Sequence, residues 1–355
     1  MSFAYAGCYT PNGGGIQCFA LDPATGGLTP RALTDGIADP TWLLIQDDVL
    51  YAASEVTPAG TVSAYRIDPT EGTLTPINRV DAAGGKPVHL SRHPAGRHLF
   101  VANYDSGTVA VLPIGEDGGL GPAIEVKTDA GPVDPARPAD APPGSFADGG
   151  HDAPHAHYIE SDPTGRCVLH TDLGQDRIYV WRFEAGRLTP AATPFLATVP
   201  GSGPRHLAWH PDGNRFYALA EESSTLSTYG FDGGDCTLLQ TVSSLPPGFA
   251  GTSYGSDLKL SADGRFAYAA NRLHDSIATF TTAGELRLID HTPTWGSYPR
   301  TLVIHGDFLY AMNQRSDAIT VFRLEAGVPR FTGRYIPTGS PAHLAFTDSP
   351  RVTAC

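Results

Sequence analysis

The chain is poor in the features that mark most other protein classes. It has 5 cysteines in 355 residues, an odd number with no Cys-x-x-Cys pair, so neither a disulfide framework nor a zinc ribbon is indicated. No run of about 18 apolar residues occurs, and no membrane-spanning helix is expected. The N-terminal stretch Met1 to Ala6 lacks a basic segment leading into an apolar run, so no signal peptide is expected and the cytoplasm is the default location. Positive charge is scarce: Lys and Arg number 24 against 37 Asp and Glu, a formal net charge of -13. That balance argues against nucleic-acid and anionic-membrane partners. No long stretch carries a helical apolar period, whereas several alternate.

What is present is glycine, 40 residues, and proline, 31, spread along the whole chain. They suit many short strands joined by turns. One unit recurs. Pro204-Arg205-His206-Leu207-Ala208-Trp209 reads as an apolar strand, His210-Pro211-Asp212-Gly213 as a tight turn, and Arg215 to Ala220 as a second strand. Related units begin near Pro40, Pro87, Pro154, Gly255 and Pro299. The first unit, from Phe3, lacks its first strand, and the tail Pro341 to Phe346 supplies a first strand with nothing after it. The economical solution is a closed ring, because the C-terminal strand then completes the first unit. The expected fold is therefore an all-β, seven-bladed β-propeller of four-stranded blades, one domain over residues 1–355. Pro163 to Pro211 spans 48 residues and Pro211 to Ala262 spans 51, close to the period of propeller repeats, typically about 40 to 50. Between Pro94 and Pro163 the spacing stretches to 69. The excess is a Pro/Gly/Ala-rich loop over about 128–154, of the length that is functional or disordered in compact folds.

The repeat serves as a ruler. Six residues before the turn positions Pro94, Pro163, Pro211 and Ala262 lie Val88, His157, Arg205 and Ser256; ten after lie Tyr104, Leu173, Glu221 and Arg272. Both registers fall at one end of an antiparallel hairpin. His157, Arg205, Glu221 and Arg272 should therefore converge on one mouth of the channel, where three consecutive blades break an otherwise apolar or small register. Two guanidiniums can hold an anionic group or a developing oxyanion. A carboxylate can activate or steer water, and a histidine can move a proton. Ester or lactone hydrolysis needs these parts without metal or cofactor.

Gly203-Pro204-Arg205-His206 with His210-Pro211, Ala220-Glu221 and Ala270-Asn271-Arg272 resemble the propeller lactonase family over nearly the whole chain. That family includes the propeller-type bacterial 6-phosphogluconolactonases and the fungal 3-carboxy-cis,cis-muconate lactonizing enzymes. His155-Ala156-His157, Asp172-Leu173-Gly174, Asn103-Tyr104 and Asp275-Ser276-Ile277 add to the resemblance. It implies a catalytic set of His157, Arg205, Glu221 and Arg272. Arg205 and Arg272 would bind the anion and polarise the lactone, Glu221 would activate or guide water, and His157 would pass a proton to the leaving ring oxygen. His155, Arg300 and Asn103 are assigned to substrate binding. Departures from the family pattern include Ala220, where many relatives have Asn, and the second carboxylate at Glu222.

Plainer readings compete. Arg205 and Glu221 could form a structural ion pair, and Arg272 could be an ordinary surface arginine. His155 and His157, two apart on a strand, should point the same way and could hold a metal with His151, but no third ligand spacing follows. Asn103, Asn271 and Asn313 share a register that also suits turn bracing. Glu222 is expected to point away from Glu221, into solvent or a neighbouring blade. The expected activity is hydrolysis of a sugar-acid δ-lactone, best 6-phosphogluconolactone, by a monomer. An unphosphorylated aldono- or aldaro-lactonase, a carboxymuconate cycloisomerase and a non-catalytic scaffold are the alternatives.

Overall fold

The protein was analysed as a computed structural model, which describes residues 2–10, 12–133, 147 and 149–347. Seven four-stranded antiparallel sheets follow one another along the chain. Their innermost strands are Pro40–Gln46, Pro87–Arg92, Ala156–Ser161, Pro204–Trp209, Tyr254–Leu260, Pro299–His305 and Pro341–Phe346, and each touches its counterparts in the blades on either side. The last of these pairs with Phe3–Cys8, Ala4 opposite Phe346 and Tyr5 opposite Ala345. The strand missing from the first blade is thus supplied by the tail, and the ring of blades is closed. Numbered from the N-terminus, blade 1 contains Phe3–Cys8 and blade 7 contains Pro299–His305. Among the described residues no helix is long and apolar enough to cross a membrane. The 128–154 loop lies largely outside the described residues.

The apolar alternation of each strand buries one face against each neighbouring blade. The buried side chains accordingly form seven clusters, one at each blade–blade interface. A repeated hydrogen bond ties the blades: Tyr5 donates to the Gly72 carbonyl at 2.8 Å, Tyr51 to Gly118 at 2.9 Å, Tyr268 to Gly327 at 2.9 Å and Tyr310 to Gly26 at 3.0 Å. Each acceptor sits at the outer hairpin of the next blade with positive φ, where glycine alone is unstrained. A Cβ there would also strike Phe3, Val49, Phe266 or Phe308.

The innermost strand of every blade is irregular at the same place. Pairing jumps from Pro204 opposite Ala220 to His206 opposite Leu219, leaving Arg205 as the extra residue of a bulge. The same interruption isolates Thr41, Val88 and His157. It falls at Ser256, Arg300 and Ala342 in blades 6, 7 and 1. Bulges re-aim side chains, so this fold carries a seven-position ring of them around its axis. One residue further on, Trp42, His89, Tyr158, His206 and His343 fill the axis. Trp42 lies 4.3 Å from His89, 4.1 Å from His343 and, across the channel, 5.7 Å from His206, ring centre to ring centre. His89 stands 3.8 Å from Tyr158. At this level the channel is plugged, and the mouth above it is a cup.

Candidate active site

Arg205 projects from its bulge into the cup, and its Nε lies 2.6 Å from Glu221 Oε2. Glu221 follows the last residue of the paired strand, Arg215–Ala220. Its other oxygen, Oε1, is 2.7 Å from Nη2 of Arg272, the last residue of the corresponding strand in blade 6. One carboxylate therefore bridges two guanidiniums from adjacent blades. Arg205 is 2% exposed and is the largest fully buried side chain described. Its Nη1 donates to the Ser256 carbonyl and to His206 Nε2. Arg272 is flanked by the rings of Tyr254 and Tyr298, at 5.4 Å and 5.2 Å, and donates to the Gly255 carbonyl at 3.2 Å. Arg300, the bulge residue of blade 7, pairs with Glu55 at 2.9 Å. Tyr9 donates to the same Glu55 oxygen at 2.9 Å.

His157, the bulge residue of blade 4, packs its ring 5.3 Å from His206 and 5.7 Å from Tyr104. The four residues placed by the ruler do meet at one mouth. The ionisable ring is wider than three blades, however, because Arg300 and Glu55 extend it to blades 7 and 2.

Burial, reinforced by the charge of Arg205, holds His157 well below 6.5. The imidazole is neutral at pH 7, so His157 must take a proton before it can pass one to a leaving oxygen. Burial pushes Glu221 up, but the guanidiniums of Arg272 and Arg205 outweigh it and hold the carboxyl below the usual range. Burial pulls Arg205 down to about 10, against the attraction of Glu221, which leaves it charged at neutral pH.

Two further expectations need correction. His155 precedes the strand, and the bulge at His157 breaks the alternation that would have aimed both histidines alike. Its Nδ1 meets the Tyr104 carbonyl at 2.9 Å, its Nε2 meets Asp152 at 3.0 Å, and its face stacks 4.1 Å from the Tyr104 ring. His155 is thereby spent on holding Tyr104 and has no nitrogen left for substrate. Asn103 is fully buried and donates to the Ala82 carbonyl, 2.9 Å, and to Thr108, 3.1 Å. Asn271 does the same toward Ser244 and Ser276. These asparagines staple a blade to the last turn of the preceding one, so Asn103 is a brace. Glu222 does not reach solvent but turns toward the segment that leads into the neighbouring blade 4: it is 2% exposed, in a slot left by the missing side chains of Gly150 and Gly203. Desolvation, with Glu221 adjacent, pushes its carboxyl up to about 10, so it is a neutral acid at pH 7.

The inner cup therefore sets Arg205, Arg272 and Arg300 against the charged carboxylates Glu55 and Glu221, a surplus of one positive charge. His157 Nδ1, Arg205 Nε, Arg272 Nε and Glu222 Oε2 are buried without a hydrogen-bond partner. Such atoms are costly, about 1–3 kcal/mol each, and rare enough that a cluster of them marks a working site.

Comparison with known proteins agrees with this geometry. The family model "Lactonase, 7-bladed beta-propeller" matches residues 3–346. The chain belongs to the seven-bladed propeller lactonase family. Within it, the 6-phosphogluconolactonase of Bacillus subtilis is 33% identical over 92% of this chain and 93% of its own. The 6-phosphogluconolactonase of Formosa agariphila is 28% identical over 97% and 99%. The solved periplasmic gluconolactonase PpgL of Pseudomonas aeruginosa superposes with a TM-score of 0.88 at 32% identity, over 98% of this chain and 99% of that one.

Tyr9, Glu55, Tyr254 and Tyr298 are cup residues that sequence reasoning did not single out. Tyr9 and Glu55 were available from register alone, since each follows the second strand of its blade as Glu221 does.

Proposed function

We propose that this lactonase-family chain hydrolyses a sugar-acid δ-lactone, with 6-phosphogluconolactone giving 6-phosphogluconate as its reaction. The carrying observation is the Glu221 carboxylate bridging Arg205 and Arg272 in a cup with surplus positive charge. The lactone carbonyl oxygen accepts from the two guanidiniums, whose interaction strengthens as charge develops on it. Glu221 holds the guanidinium planes and orients the attacking water; its depressed basicity suits steering better than proton abstraction. Neutral His157 takes one proton from that water as the oxygen bonds to the carbonyl carbon. The tetrahedral intermediate collapses, the bond to the ring oxygen breaks, and the imidazolium returns the proton to that oxygen. The new carboxylic acid ionises on release.

Relatives named 6-phosphogluconolactonase support the phosphorylated substrate and, with it, a cytoplasmic site of action. Arg315, exposed and stacked 3.8 Å over Tyr298 beside Arg272, is the cation we assign to the phosphate. The resemblance to PpgL favours an unphosphorylated gluconolactone as the second reading. Acid release from both lactones, and turnover of 3-carboxymuconate, should be measured on one preparation. Glu221→Gln and Arg272→Ala are expected to lose a factor on the order of 10²–10⁴ in kcat. Arg315→Ala should raise KM for the phosphorylated lactone alone. Full activity in folded Glu221→Gln and Arg272→Ala would refute the assignment.

A further inference from the structure

Arg205 is a guanidinium with almost no access to water, so its orientation depends on the few acceptors the protein sets around it. Glu221 Oε2 faces Nε at 2.6 Å as an ion pair without hydrogen-bond alignment, and the Ser256 carbonyl accepts from Nη1. The remaining contact, Nη1 to His206 Nε2 at 2.9 Å, is conditional. An imidazole nitrogen accepts only when its proton sits on the other nitrogen. Were the tautomer reversed, two N–H groups would face each other across 2.9 Å, and Arg205 would have to move.

The other nitrogen is not left to chance. His206 Nδ1 lies 2.7 Å from Asp257 Oδ1, and both side chains are buried to within 1%. Asp257 is itself clamped. The backbone N–H of Leu302 donates to Oδ2 at 2.7 Å, the N–H of Leu258 to Oδ1 at 2.8 Å, and Lys259 Nζ sits 2.7 Å from Oδ1. Leu302 belongs to the next blade, so the carboxylate is located by two sheets at once. Lys259 compensates its charge, which limits its pull on a second proton for His206. Burial, with Arg205 and Lys259 close by, keeps that ring neutral.

We propose that Asp257 and His206 are positioning residues for the reaction: Asp257 fixes the proton of His206 on Nδ1, and the free lone pair on Nε2 locks Arg205 in the orientation that meets the lactone oxyanion. The inference rests on the lactonase reading for its kinetic consequence, but its structural half does not. An orienting carboxylate behind an imidazole is familiar where the histidine is the base; here the imidazole is an acceptor for a cation.

Asp257→Ala tests the proposal. Asparagine would keep its carbonyl at the Oδ1 position, where the Leu258 N–H and Lys259 also donate, whereas alanine leaves the His206 Nδ1 proton without its acceptor, so that the ring can carry its proton on either nitrogen. Nitrogen-15 NMR of the labelled full-length protein reads that directly. The wild type should show a protonated Nδ1 and a bare Nε2, and the variant a mixture in which Nε2 carries the proton in a substantial share of molecules. Kinetically, kcat should fall about 10- to 100-fold with KM changed less than threefold, the mark of a contact made in the transition state. His206→Gln, whose carbonyl can reach the Arg205 N–H, should keep more activity than His206→Asn, which satisfies Asp257 but not Arg205. A merely structural pair would predict the opposite order or none. A wild-type ring protonated on Nε2, or an Asp257→Ala variant with unchanged kcat, would overturn the proposal. Should the wild type turn over no lactone while the tautomer is as stated, the function fails and the positioning geometry stands.

Discussion

Replacing Glu222 with glutamine should stabilise the protein, and by an amount that grows with pH. In the folded chain, burial beside Glu221 pushes the carboxyl up to about 10, against 4.5 for a free glutamate. Between those limits the native state holds a proton that the unfolded chain releases. For a carboxyl raised on folding, the stability is fully present below the unfolded pKa and is lost as pH rises toward the folded one. The slope is about 1.4 kcal/mol per pH unit, so a fully effective proton would weaken the wild type by about 3 kcal/mol between pH 4.5 and 7. Glutamine has the same shape, fits the slot between Gly150 and Gly203, and carries no charge at either pH. Urea midpoints of the two proteins should therefore nearly coincide around pH 4.5 and separate steadily above it, with the variant the more stable. The size rests on burial: a 2% exposed carboxyl beside Glu221 has no water to ionise into. Parallel midpoint curves from pH 4.5 to 8 would refute the reasoning, because they would mean that Glu222 ionises as freely in the fold as out of it.

Two further outcomes follow from the same geometry. The acid limb of kcat/KM should lie well below pH 6.5, since burial and Arg205 keep His157 unprotonated, and Arg272 and Arg205 keep Glu221 ionised against its burial. A half-loss of activity near pH 6.5 in protein that remains folded by circular dichroism would contradict both directions of shift. Asn103→Ala should lower stability by about 1–3 kcal/mol, through the stranded Ala82 carbonyl, while leaving kcat/KM for the lactone within twofold; a rise in KM with unchanged stability would restore Asn103 to the substrate.

The ring itself was legible because seven units repeat one pairing scheme, and the missing first strand could be matched to the orphan Pro341–Phe346. His157, Arg205, Glu221 and Arg272 were legible because they stand out among the four blades the ruler measured, beside Val88, Ser256, Tyr104 and Leu173. What was lost was lost for specific reasons. The ruler was anchored on turns of the Pro-Ala-Gly or Pro-Asp-Gly kind, and the inner hairpins of blades 2 and 7 turn instead through Asp47–Asp48 and Gly306–Asp307, so Glu55 was never measured against Glu221. Alternation failed at His155 and His157 because the extra residue of a bulge changes which side the chain presents, and period-two reasoning holds only on an unbroken ladder. It could not choose between solvent and the neighbouring blade for Glu222 because the strand has already ended at Ala220; the side chain is buried by glycines 72 and 19 positions away in sequence. A register counted from the last residue of each second strand would have set Tyr9, Glu55, Tyr104 and Glu221 in one row. The chemistry of this fold is written at the positions flanking seven bulges, one residue at a time, and the Asp257–His206 contact that steadies Arg205 spans two blades and 51 residues; a contiguous motif can carry the turns that space those positions, but not the cup they make.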